Sequence, residues 1–276
     1  MTAARDEDDT LPDAETLLIP SRVHDPALGR PCNLAATFYC PPGEPKRGGW
    51  PLVVFSHGST AGPGRIPRRQ MLRYPLQARY FLDRGFAFLV PMRRGRGESE
   101  GDYVEGYAWD RLKFAEGFSH ALDDLAAVIA HMRRQPQING RRIVVAGQSR
   151  GGLLSIAYAG QHPQGIAGGI SFAGGWIGDP GGTIVDPGAA GDFIRDVCMR
   201  AGAGAATPSL WLYASDDLYP PASVRRWHDA YTAAGGEAQL YIFPPVADGG
   251  RQRLLDRPVL WQSAVDAYLR QQGFFW

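Results

Sequence analysis

Cysteine is scarce in this chain. Three residues in 276, Cys32, Cys40 and Cys198, are too few and too scattered for a disulfide framework, and no Cys-x-x-Cys occurs. An excess of charge is missing too. Twenty-nine basic side chains against 28 acidic ones leave a net charge of +1, which gives no strong field to draw in nucleic acid or an anionic membrane. No apolar run approaches the roughly 20 residues needed to span a bilayer. Residues 1–13 carry five acids and no apolar stretch, so they are expected to be a disordered acidic tail rather than a secretory leader. These absences predict a soluble cytoplasmic protein with no nucleic-acid or membrane partner. No His-x-x-x-His or ligand-type Cys/His spacing occurs, and no Gly-x-Gly-x-x-Gly follows an early strand, so neither a metal nor a cofactor is expected.

What is present is an alternation. Thr16–Pro20 and Leu34–Tyr39 read as an opening antiparallel pair. Apolar runs then recur at Leu52–Phe55, Phe86–Val90, Arg142–Ala146, Gly169–Ala173, Leu210–Ala214 and Gln239–Phe243. Between them lie segments of helical spacing at Tyr74–Arg84, Ser119–Met132, Gly152–Ala159, Asp192–Met199, Ala222–Ala234 and Val259–Gln271. Strands that are apolar throughout are buried on both faces, and strands alternating with helices imply a parallel sheet with right-handed crossovers. The expectation is an α/β protein with a mostly parallel sheet of about eight strands and helices on both faces, in one domain over residues 14–276. In such sheets ligands bind outside the carboxyl ends of the strands.

One junction carries chemistry. Gly147-Gln148-Ser149-Arg150-Gly151 stands between the Arg142–Ala146 strand and the following helix. A Gly-x-Ser-x-Gly there is a nucleophile elbow: the turn strains the serine backbone and lifts its hydroxyl to the sheet tip. Serine hydrolysis also needs two N–H donors for the oxyanion, a base and an acid. Ser56-His57-Gly58-Ser59, after the Leu52–Phe55 strand, is the expected source of one donor, the N–H of Ser59; the N–H of Arg150 is the other. For the acid, Asp217 past the Leu210–Ala214 strand is chosen, with Asp216 as the alternative. The base should follow the Gln239–Phe243 strand. That loop, Pro244 to Gln252, contains no histidine, and none follows His228.

These segments, together with Arg94-Gly95-Arg96-Gly97-Glu98-Ser99-Glu100-Gly101 and Phe243-Pro244-Pro245, resemble the dienelactone-hydrolase-like branch of the α/β-hydrolase superfamily over about residues 34–269. The resemblance implies the α/β-hydrolase fold, with Ser149 as nucleophile and Asp217 as acid. Relatives usually continue to Asp-Gly-His, whereas here Asp248-Gly249 is followed by Gly250, so the missing base belongs at or next to Gly250. Dienelactone hydrolases proper use cysteine; serine implies general ester hydrolysis. Arg94, Arg96 and Glu98 match a loop seen in related acyl esterases, where a structural role fits best.

The functional expectation is a carboxylic-ester or lactone hydrolase working through an acyl-Ser149 intermediate, impaired as it stands for want of a base. A small-molecule ester is the expected partner. A ligand-binding protein on the same scaffold, or a peptidase or acyl-transferase, is the alternative. His57 is expected to brace the oxyanion loop and, with Gly58 and Trp176, to border the substrate. Trp176, Tyr103, Tyr107 and Trp109 either wall the pocket or pack beneath its loops. Oligomeric state is open.

Overall fold

The computed structural model describes residues 14–25, 28–59, 67–105, 111–161, 164–176, 187–246 and 253–276. The acidic stretch 1–13 lies outside these residues, as do His162, Tyr107, Trp109, Asp248 and Gly250.

Eight strands form one sheet in the order β1-β2-β4-β3-β5-β6-β7-β8. They are β1 (Glu15–Asp25), β2 (Arg30–Tyr39), β3 (Trp50–Ser56), β4 (Ala87–Pro91), β5 (Ile138–Gln148), β6 (Ile166–Phe172), β7 (Ser209–Ala214) and β8 (Ala238–Phe243). β2 runs antiparallel to both β1 and β4, and every other pairing is parallel. The expected sheet is therefore the observed one.

The central strands are apolar throughout because both faces are covered. Leu52 and Val54 of β3 face one core, with Ile143 and Val145 of β5. Val53 and Phe55 face the other, with Val144 and Ala146. On the first face lie α2 (Arg111–Met132), α3 (Arg150–Gln161), α4 (Pro187–Gly204) and α5 (Pro221–Ala233); on the second lie α1 (Pro75–Leu82) and α6 (Pro258–Gln271). Proline opens α1, α5 and α6, at the position where its missing N–H costs nothing.

Two helices run further than helical spacing suggested. α2 begins at Arg111 instead of Ser119, passing through Gly117. A side chain at Gly117 would come within 2.8 Å of the Glu105 backbone, so this glycine is a contact point and not a breaker. α4 continues past Met199 to Gly204 for the same reason. A side chain at Gly204 would collide with the Gly160 carbonyl oxygen of α3, and one at Gly202 with the Tyr231 carbonyl oxygen of α5. Side chains at these positions would hold the helices apart.

The chain direction around the sheet reverses at β3, which lies between β4 and β5. The loops leaving β3 and β5 thus emerge side by side at the carboxyl ends, where such sheets open a crevice.

Candidate active site

Ser149 follows the last residue of β5 and adopts φ +54°, a left-handed conformation that a serine enters only when the surrounding chain forces it. The forcing contacts are visible. Gly151 sits so close to β3 that any side chain would overlap the Ser56 carbonyl oxygen, and a side chain at Gly147 would overlap the Gly151 backbone. The Ser149 N–H donates to the Phe172 oxygen of β6 at 2.9 Å. Its own carbonyl accepts from Leu153 and from Gly175, each at 3.1 Å. The elbow is therefore tied to β6, to α3 and to the loop after β6.

The β3 loop lies against it. A methyl group built on Gly58 would sit 3.4 Å from the Ser149 Cβ and 3.5 Å from the Gln148 oxygen. Ser59 is exposed at the edge of this loop, and Arg150 opens α3 with its backbone N–H in the first turn. The structure so brings Ser149, Gly58, Ser59 and Arg150 to one place.

His57 is fully buried. Its Nδ1 lies 2.7 Å from the Gly58 oxygen, which can only accept, so Nδ1 carries the proton. Nε2 faces the Arg93 backbone N–H at 3.5 Å. Burial, and then the Arg93 guanidinium, push the imidazole down to about 3, so it stays neutral at ordinary pH. Both ring nitrogens thus face the chain's own backbone. Trp176 is likewise fully buried, edge-on to Phe118 at 5.2 Å, with the Arg150 guanidinium 4.8 Å over its ring. Its indole N–H is buried without a partner among the described residues. Tyr103 is half-buried, and its hydroxyl lies 3.3 Å from Arg150 Nη1.

A charged cluster not foreseen from the sequence supports the loop. Glu105, buried at the end of the β4 loop, pairs with Arg93 through Nε and Nη2 and with Arg150 through Nη1 at 3.2 Å. Burial alone would raise its carboxyl, but the Arg93 charge and hydrogen bonds, followed by Arg150, outweigh this and draw it down to about 2. Arg93 also donates to the His57 oxygen at 2.8 Å and to the Gly58 oxygen at 3.2 Å. The sequence showed Glu105 merely as one acid in a loop; its two arginine partners come from the start of that loop and from α3.

Of the arginine-glycine loop residues given a structural role, Arg94 has one and Arg96 lies over the Tyr103 ring at 4.1 Å, while Glu98 is exposed. Arg94 is buried against Asp124 of α2, with Nη2–Oδ1 at 2.7 Å and its backbone N–H on Oδ2 at 2.9 Å. Glu100 accepts a two-pronged bond from Arg30, both arms at 2.9 Å, and the Asn33 N–H at 2.8 Å.

The two candidate acids part company. Asp216 Oδ1 accepts the Val246 N–H at 3.0 Å, tying the β7 turn to the chain leaving β8. Asp217 Oδ1 accepts the Leu218 N–H at 2.6 Å, while its Oδ2 is buried with no partner among the described residues. Burial pushes the Asp217 carboxyl up to about 6.

Apart from His57, the described histidines lie away from the elbow. His228 bonds the oxygen of Ala238, the first residue of β8, and so sits at the opposite end of the sheet. His131 contacts Gln135 near the end of α2, just before β5 begins. His24 and His120 border a cavity between β1 and α2. Among the described residues no cluster of His, Cys, Asp or Glu could hold a metal ion, and no helix is long and apolar enough to cross a membrane.

A family model described as serine aminopeptidase, S33, matches residues 53–187. No curated protein matches the sequence. Solved structures do. The Pyrococcus furiosus esterase Pf2001 superposes with a TM-score of 0.63 at 16% identity, covering 98% of this chain and 94% of its own. Est1E from Butyrivibrio proteoclasticus, solved with ferulic acid bound, gives 0.62 at 18% identity over 93% and 98%. A putative dienelactone hydrolase from Klebsiella pneumoniae gives 0.58 at 17% identity over 95% and 98%.

Proposed function

We propose that this chain, which has the α/β-hydrolase fold, is a serine hydrolase of carboxylic esters or lactones acting through an acyl-Ser149 intermediate. The observation that carries this reading is Ser149 held at φ +54° with Gly58 of the neighbouring loop against its Cβ. Strain of this kind persists only where the surroundings over-determine it, and it holds the hydroxyl where an ester carbonyl can approach.

In this reading Ser149 Oγ attacks the carbonyl carbon while its proton passes to a base. The N–H groups of Ser59 and Arg150 hold the resulting oxyanion, the alcohol departs with the proton, and water releases the acid. Asp217, not Asp216, is the acid, because its buried Oδ2 is left over for an imidazole N–H while Asp216 is engaged by Val246. His57 braces the loop rather than acting as base or touching substrate. The base position is at or next to Gly250, where the sequence has no imidazole. The chain as it stands is therefore slow, retaining only what oxyanion stabilisation and binding supply.

The missing histidine also favours a second reading: a ligand-binding protein that holds an ester or lactone without turning it over. The experiment is an acyl-ester panel on the chain and its Gly250→His form, with a fluorophosphonate probe of Ser149. Turnover at least 10³-fold faster in Gly250→His, with partial rescue of the original chain by free imidazole, is expected. No turnover and no labelling in either form, with saturable ligand binding, would establish the second reading. A cytoplasmic location belongs to the same proposal.

A further inference from the structure

Both proposed oxyanion donors belong to residues or loops that a single carboxylate holds from behind. Glu105 pairs with the Arg150 side chain, whose own N–H is one donor, and with Arg93. Arg93 grips the two carbonyls preceding the other donor: His57 oxygen at 2.8 Å and Gly58 oxygen at 3.2 Å.

The geometry of the peptide unit gives this grip a consequence. In a trans peptide the C=O and the next N–H point in opposite directions, and the described residues contain no cis bond. Fixing the His57 carbonyl therefore turns the Gly58 N–H the other way. Fixing the Gly58 carbonyl turns the Ser59 N–H away from Arg93. The Gly58 oxygen is held twice, by Arg93 and by His57 Nδ1–H at 2.7 Å. Donors on that oxygen also polarise the amide, which strengthens its N–H as a donor.

We infer that Glu105 and Arg93 are positioning residues for the oxyanion hole: Glu105 clamps Arg93 and Arg150 together, and Arg93 aims the Ser59 N–H toward the oxygen that forms on the acyl carbon. This rests on the serine-hydrolase reading. It assigns to Glu105 a role in the transition state that a merely structural buried ion pair would not have. Such a pair, once broken, lowers stability and nothing specific to catalysis.

The test uses the full chain carrying Gly250→His as parent, with Arg93→Lys and Glu105→Gln added singly. Rates are counted per Ser149 that a fluorophosphonate can label, so that unfolded protein does not enter. Deleting an oxyanion donor outright costs about 10²- to 10³-fold in kcat. Misaiming one should cost roughly 10- to 100-fold in kcat, with KM within about threefold. Affinity for a trifluoromethyl ketone, which carries the oxyanion when bound to serine, should fall by the same factor as kcat. A smaller loss is expected for Arg93→Lys, which keeps the charge without the fork. Variants that lose melting temperature while kcat and ketone affinity per labelled serine stay at the parent value would overturn the assignment and leave the hydrolase reading intact. A parent that neither turns over nor labels would overturn both. Should Glu105→Gln not fold, Arg93→Lys decides alone.

Discussion

Asp216 and Asp217 are neighbours in sequence with opposite surroundings: one carboxylate anchors the Val246 N–H, and the other keeps a buried oxygen without a described partner. The second arrangement is costly for folding and useful for catalysis, and the two effects can be separated.

Asp217→Asn should stabilise the chain and leave its residual esterase activity near its present level, whereas in the Gly250→His form, where the carboxylate has an imidazole to orient, it should cut turnover by about 10⁴-fold. Burial raises the Asp217 carboxyl from 3.8 to about 6. The folded protein thus holds this proton more tightly than the unfolded chain does. The favourable contribution is complete below about 4 and is lost as pH rises through about 6. At pH 7.5 Asp217→Asn should therefore be more stable by roughly 3 kcal/mol at most and melt at a higher temperature, and the advantage should vanish near pH 4. In a Gly250→His background, where the carboxylate regains a partner, the gain should shrink or reverse. Melting curves at the two pH values, on both backgrounds, check this. Equal melting of Asp217→Asn and the original chain at pH 7.5 would remove the case for an unsatisfied acid.

The two glycines around the nucleophile should respond differently to alanine. A methyl group at Gly151 collides with the Ser56 carbonyl, which is backbone and cannot step aside. Gly151→Ala should cost about 3 kcal/mol or more, or prevent folding. A methyl group at Gly58 meets its nearest neighbours at 3.4 and 3.5 Å, ordinary contact distances. Gly58→Ala should fold with stability within about 1 kcal/mol of the parent. It should still lower ester turnover, because the methyl group occupies the approach to Ser149. Denaturant titrations beside acyl-ester rates distinguish the pair. A Gly58→Ala form as active as its parent would place the ester elsewhere.

His57 should stay uncharged across the physiological range. Its imidazole, buried and facing Arg93, is pushed down to about 3. A nuclear magnetic resonance titration of the ring protons should show no His57 transition between pH 5 and 8. A midpoint above pH 5 would mean that the ring is hydrated and is a candidate base after all.

The sheet was legible because its signal is local. β3, β4 and β7 are short apolar runs between Gly, Pro and Asp, and both core faces read alike. The elbow was legible because the glycine spacing is itself the steric requirement. The helix starts and ends were harder. Gly117, Gly202 and Gly204 look like breakers until the backbones they admit are known, and those backbones come from distant segments. The Glu105 cluster was invisible for a related reason. Its value lies in the meeting of residues 57–58, 93, 105 and 150, and no periodicity records that meeting. The choice between Asp216 and Asp217 likewise turned on Val246, some 30 residues downstream.

The close crossing of α3 with α4 has a further consequence. α3 begins directly after the nucleophile, and at its far end Gly160 lies against Ala201 and Gly204 of α4. The helix is thus anchored at both extremities by main-chain surfaces. Beyond Gly175, whose N–H holds the Ser149 carbonyl, chain inserted between Trp176 and α4 can then vary in length and chemistry without disturbing the reactive alcohol. Substrate preference can drift on one side of such a joint while the catalytic frame holds still on the other.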